Sequence, residues 1–147
     1  MKLYKFFKLL MVSFVLFLLI FITNQKIFGE NWIIAGSEEG TTQFFDKESI
    51  TEVSPSAKRI LTKSIIPLEV RLKQIENHGL PIIGYSFYSH TMSLWEINCN
   101  NQTYGVLYFI DYDKEGSEID SFKFNNPEVD FIIPGSMVEK LCKAICP

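Results

Sequence analysis

The sequence is poor in the side chains that most often carry chemistry. Its 147 residues hold two histidines, His78 and His90, and three cysteines, Cys99, Cys142 and Cys146. Neither histidine has a patterned partner, and no catalytic motif occurs. Three thiolates are one ligand short of a structural zinc site, and no CxxC pair is present. No catalytic residue, metal ligand or cofactor-binding residue is therefore assigned, and the chain is expected to be non-enzymatic and to need no cofactor. Internal repeats and low-complexity tracts are also lacking. Basic charge is scarce outside the first 29 residues. These carry four lysines and no acid, which leaves 10 basic against 17 acidic residues in the remainder, a net charge of −7. A balance that acidic excludes nucleic acid or anionic membrane as partners of a general basic field.

What is present divides the chain into two. Lys2, Lys5 and Lys8 precede an apolar run from Leu9 to Ile22, broken only by Ser13. Thr23 to Lys26 close the run, and Gly29 offers a small residue before Glu30. This is the pattern of a secretory signal. Its 14-residue apolar core falls short of the roughly 20 residues that a spanning helix needs. Residues 1–29 are thus expected to be a signal peptide, with an uncleaved N-terminal membrane anchor as the rival. No cysteine lies near the end of the run, so a lipid-modified N-terminal cysteine is excluded. Residues 30–147 make one domain, small enough to gain from a covalent staple, and export makes a disulfide available.

Within that domain the pattern is mostly β. Trp32–Gly36 and Thr42–Asp46 read as a hairpin, and Asp46 is suited to accept a backbone N–H in the turn that follows. Ser54-Pro55-Ser56 reads as loop, and Arg59–Ile66 alternates as a third, half-buried strand. Pro67 stops that strand and opens a helix over about 68–78, where Leu68, Leu72 and Ile75 share a face. Tyr85–Cys99 is strand-like but slips in phase, which predicts a bulge near Thr91-Met92. Thr103–Tyr112 is apolar on both sides, with Tyr104, Val106, Tyr108 and Ile110 on one face and Leu107 and Phe109 on the other. Such a strand is central, with cover on both sides or a dimer partner. Asp113–Gly116 has Asp first and Gly fourth, a type I turn, and Glu118–Phe124 returns as the last strand. Ser136 and Glu139 form a capping box for a terminal helix with an apolar stripe of Val138, Leu141, Cys142 and Ile145. The fold class is α+β: a small twisted antiparallel sheet of five or six strands with the C-terminal helix packed on it.

Two constellations bear on function. Cys99 ends a strand on its inward side, while Cys142 and Cys146 lie one helical turn apart. A disulfide from Cys99 can reach either, and spacing does not separate them; Cys146 is favoured because Cys142 suits the middle of a buried stripe. The other is Asp111-Tyr112-Asp113-Lys114-Glu115-Gly116, which imitates a calcium loop. Its twelfth position is Phe122, not the bidentate Glu such a loop needs, so it reads as a hairpin turn. Tyr85, Phe87, Tyr88, His90, Tyr104, Tyr108 and Tyr112 suit sheet packing, or a partner-binding or dimer face rich in Tyr.

The run Leu94-Trp95-Glu96-Ile97-Asn98-Cys99, Tyr104, Tyr112–Gly116, and Pro134-Gly135-Ser136 opening a helix that ends in Cys146 resembles the bacterial surface-adhesin protein E-like domain. Asn31-Trp32, Phe45-Asp46, Ser49-Ile50 and the Lys63 strand are similar to its first half. The resemblance covers nearly all of residues 30–147. Phe131, where a tryptophan is expected, and the extra Cys142 depart from it. It implies a small exported α+β domain, named for an adhesin of host extracellular-matrix proteins, and a Cys99–Cys146 disulfide. The function expected is that of an exported cell-envelope or surface protein with protein partners, host-matrix proteins among them, and a homodimer as one form. The alternative is a membrane-anchored periplasmic or extracytoplasmic domain, touching membrane only through its N-terminal segment and binding a partner inside the envelope.

Overall fold

A computed structural model describes residues 31–146. The proposed signal or anchor, residues 1–29, lies outside them. Among the described residues no helix is long and apolar enough to cross a membrane.

Six antiparallel strands form the body of one sheet: β1 (Trp32–Glu38), β2 (Thr41–Asp46), β4 (Ala57–Ile65), β5 (Tyr88–Asn98), β6 (Thr103–Asp113) and β7 (Glu118–Lys123), in the spatial order β1-β2-β4-β5-β6-β7. Two short strands join it, β3 (Thr51–Ser54) on β4 and β8 (Asp130–Phe131) on β6. Neither short strand stands out in the sequence, because neither has room for an alternating pattern. Helix α1 (Leu68–Asn77) follows β4, and α2 (Met137–Ile145) ends the chain.

Turn chemistry sets the register. Asp46 Oδ1 accepts the Glu48 N–H at 3.0 Å. Ser49 Oγ donates to the Asp46 carbonyl and accepts the Leu61 N–H, tying the turn to β4. Asp113 Oδ1 accepts the N–H groups of Glu115 and Ser117, and the Gly116 N–H reaches the Asp113 carbonyl at 3.2 Å. At the start of α2, Ser136 Oγ accepts the Glu139 N–H at 3.2 Å. The Glu139 carboxylate reaches back to the Gly135 N–H, one residue earlier than a capping box predicts. That bond and the Lys143 ammonium hold the Glu139 carboxyl below its ordinary range, with Lys143 the larger cause.

Two bulges correct the expected strand phases. The slip in β5 lies at Ser89, between Tyr88 and His90, and not at Thr91-Met92. It lets Tyr88 and Thr91 both point inward. The second bulge is on β6, where Leu107 is the extra residue between Val106, opposite Trp95, and Tyr108, opposite Leu94. One extra residue exchanges the two faces of everything after it. Tyr104 and Val106 therefore share a face with Phe109 and Asp111, while Tyr108, Ile110 and Tyr112 point the other way.

One face of the sheet carries the core. Phe45, Ile60 and Ile97 pack against Leu141, Cys142 and Ile145 of α2, with Ile132 beside them. Cys99 and Cys146 form a disulfide, Cα to Cα 5.6 Å, that fastens the end of α2 to the end of β5. Cys142 is the free cysteine and is buried; burial pushes its thiol pKa up. Lys58 donates to the last helical carbonyl, Ile145 O, at 2.7 Å, where a cation meets the negative end of the helix. Farther along the same face, α1 and the following segment close a second cluster of Ile75, Tyr85 and Tyr88, flanked by Leu72, Leu80 and Ile119.

Candidate functional site

The charged chemistry of the inner face is concentrated on Asp111, which is fully buried. Its Oδ2 accepts bonds from Arg71 Nε at 3.1 Å, Arg71 Nη2 at 2.6 Å and Tyr85 Oη at 2.6 Å. Its Oδ1 accepts from Thr91 Oγ1, which also bonds Tyr88 Oη at 2.7 Å. The Arg71 guanidinium lies 4.8 Å from the centre of the Phe109 ring. Burial, and then the bond to the Asp111 carboxylate, push the Tyr85 pKa far up; burial likewise pushes Tyr88 up to about 12. Every group of this set has a partner within it, so it acts as a fastening between α1 and the sheet. Sequence reasoning passed over Arg71 and treated Asp111 only as the first position of a calcium-loop look-alike. The available signal was an arginine on the stripe of Leu68, Leu72 and Ile75, and an aspartate inside an otherwise apolar strand. Among the described residues no three His, Cys, Asp or Glu side chains gather as a metal-ligand set.

The opposite face has a different character. Its side chains can be followed across the sheet by register: Ile34, Phe44, Lys63, Met92, Ile110 and Ser121 form one row. Leu61, Leu94, Tyr108 and Lys123 form the next, and Arg59, Glu96 and Gly105 a third. Both helices pack on the other side, so among the described residues no helix covers these rows. The Pro127–Val129 segment crosses at Gly105, where a Cβ would stand 3.1 Å from the Glu128 carbonyl oxygen. A glycine is needed at that crossing because another backbone passes so close.

The open rows form a continuous trough. A depression of about 300 Å3 is lined by Leu61, Met92, Leu94, Tyr108, Ile110 and Tyr112. Leu94 and Tyr108 also line a second, of about 680 Å3, together with Arg59, Glu96, Leu107 and Lys123. Leu107 and Glu96 continue into a third, of about 270 Å3, that ends against Pro127 and Val129. The trough follows β6, whose 11 residues span about 35 Å at the usual strand rise. Its floor is aliphatic and tyrosine-rich, and its side chains are half-buried by one another. His90 stacks on Tyr112 at 5.2 Å at one end, and burial together with the nearby Lys63 lowers its pKa. Arg59 and Glu96 pair at 2.9 Å on the rim.

Of the aromatics that the sequence singles out, the structure sends Tyr85, Tyr88 and Tyr104 into the inner face and brings His90, Tyr108 and Tyr112 together on the open one. Phe87 stands exposed beside the strand start.

Compared with known families, the chain matches surface-adhesin protein E over residues 32–147. The chain belongs to that family. No curated protein matches it. In this surface-adhesin protein E domain, two features set by the fold divide the work. The buried side holds the disulfide and the Arg71–Asp111 pair. The open side offers a broad apolar area with a charged rim, the composition through which proteins meet other proteins.

Proposed function

We propose that this chain is an exported bacterial surface protein that acts without catalysis, by docking a protein partner on the open face of its sheet, and that host extracellular-matrix proteins are the partner class. The observation that carries the proposal is the sheet's asymmetry. Layered domains bury both sides of an apolar sheet, and here Leu61, Met92, Leu94, Tyr108 and Ile110 line a trough over which, among the described residues, no helix lies. Membership of a surface-adhesin family supports a protein as the missing layer. Residues 1–29 act as the export signal in this proposal. A second copy of the chain is the competing occupant, and would make the protein a homodimer.

The test is saturable binding of the purified protein to immobilised matrix proteins, compared with Leu94→Glu. The proposal expects binding that Leu94→Glu weakens at least tenfold, because a buried unpaired charge at an interface costs more than about 1.4 kcal/mol, the equivalent of tenfold. Failure to bind any matrix protein would overturn the host-partner reading. Binding that ignores Leu94→Glu would overturn the site. Protein from native cells that begins at Glu30 would exclude the anchored alternative, whereas an intact Met1–Gly29 in the membrane fraction would support it.

A further inference from the structure

The open face departs in charge from the rest of the domain. Beyond residue 29 acids outnumber bases 17 to 10. The charged side chains lining the trough are Arg59 and Lys123 against Glu96 alone, and Lys63 stands in the adjoining row beside Met92. Arg59 and Glu96 neutralise each other. Lys63 and Lys123 enter no ion pair among the described residues. They flank the apolar floor from different strands: Lys63 lies on β4 opposite Met92, and Lys123 on β7 opposite Tyr108. Glu118, opposite Tyr112 and bonded by Ser121 Oγ, is an acid at the far end of this face, while the apolar floor at Leu94 and Tyr108 is bordered by Lys63 and Lys123, neither of them in an ion pair among the described residues.

We infer that the trough takes an acidic, apolar segment of a partner protein: two or three aliphatic or aromatic side chains on the floor formed by Leu94, Leu107, Tyr108 and Ile110, with carboxylates at Lys63 and Lys123. This deepens the proposed docking function and rests on it. Charge selects this occupant over a second copy. A two-fold apposition of this face about an axis along the strands between β5 and β6 would bring Lys63 of one protomer toward Lys123 of its partner, and like charges facing across an interface disfavour it. It also selects against basic segments, which both lysines would repel. Because Lys63 and Lys123 sit on the rim, they contribute mainly to encounter and to choice of partner, and the apolar floor to retention. Binding is therefore expected to weaken as salt rises.

The experiment is selection of random 12-residue peptides, displayed on phage, against the purified full chain, followed by titration of fluorescein-labelled synthetic copies of the enriched peptides. The expected result is enrichment of peptides with net negative charge and at least two large apolar residues. Their affinity should fall about tenfold or more in the double variant Lys63→Glu/Lys123→Glu and also in Leu94→Ser. The lysine variant changes only rim side chains, so an unchanged melting curve separates lost binding from lost fold. Enriched peptides that are basic, or that bind the lysine variant equally well, would overturn the inference, as would a failure to enrich any peptide. A dimer in light scattering that Leu94→Ser dissociates would overturn it in favour of a second copy. Matrix binding that survives any of these outcomes would leave the broader docking function standing with a different partner chemistry.

Discussion

Removing the partner of a buried charge tests the fastening between α1 and the sheet. Asp111→Asn takes the negative charge from a site where the Arg71 side chain is only 10% exposed and Asp111 is at 0%. Arg71→Met does the reverse, leaving a buried carboxylate with hydroxyl donors only. Breaking a buried ion pair from one side costs about 3–5 kcal/mol. A domain of this size has a total stability of about 5–15 kcal/mol, so each single variant should lose a large share. Near 4 °C of Tm per kcal/mol, the loss corresponds to roughly 12–20 °C. The double variant removes both charges and should cost clearly less than the two singles together, a coupling of about 2–3 kcal/mol. The assay is equilibrium unfolding in urea with the disulfide intact, followed by far-UV circular dichroism, with the slope m checked for constancy. Singles that each cost under about 1 kcal/mol, or that add without coupling, would refute the view that this pair holds the helix to the sheet.

The disulfide, the buried tyrosines and the helix cap give further expected outcomes. Reduction of Cys99–Cys146, which spans 47 positions, should destabilise the domain by about 4 kcal/mol in the chain-entropy picture. Thiol titration of the unfolded, non-reduced protein should find one thiol, from Cys142, and a count of three would exclude the bond. The folded state holds the protons of Tyr85 and Tyr88 to higher pH than the unfolded chain, where tyrosine ionises near pH 10. Stability should therefore be fully present below about pH 10 and fall above it by about 1.4 kcal/mol per pH unit for each group, through about pH 12 for Tyr88. Tyr88→Phe should make that decline shallower in a series of urea melts from pH 8 to 11.5. Ser136→Ala removes the acceptor of the Glu139 N–H and should cost about 1 kcal/mol in the same melts.

Much of the local architecture was legible in the residues. Asp46, Asp113 and Gly116 announce turns because their side chains or backbone freedom act within a few residues. Pro67 and His78-Gly79 bracket α1, and Ser136 with Glu139 starts α2, through bonds that close inside one helical turn. A cysteine at a strand end and two in the last helical turns announced a staple in a chain expected to be exported, with the choice between Cys142 and Cys146 left open by spacing alone. The double-sided apolar character of β6 was also plain.

What only the tertiary structure decided depends on groups far apart in the chain. Arg71 and Asp111 are 40 positions apart, and neither reads as half of a pair until α1 lies against β6. The bulge at Leu107 follows from how β5 and β6 pair, and it moves Tyr108, Ile110 and Tyr112 from the face of Tyr104 to the other. Periodicity records that a strand is apolar on both sides; it does not record which side a helix covers. That is settled by α2, drawn to Ile60 and Ile97 by its own stripe and held there by Cys146, and by α1, drawn to Asp111 by Arg71. Both helices of the described residues go to one side, and among those residues the other side, with Leu94 and Tyr108 at its centre, is left open.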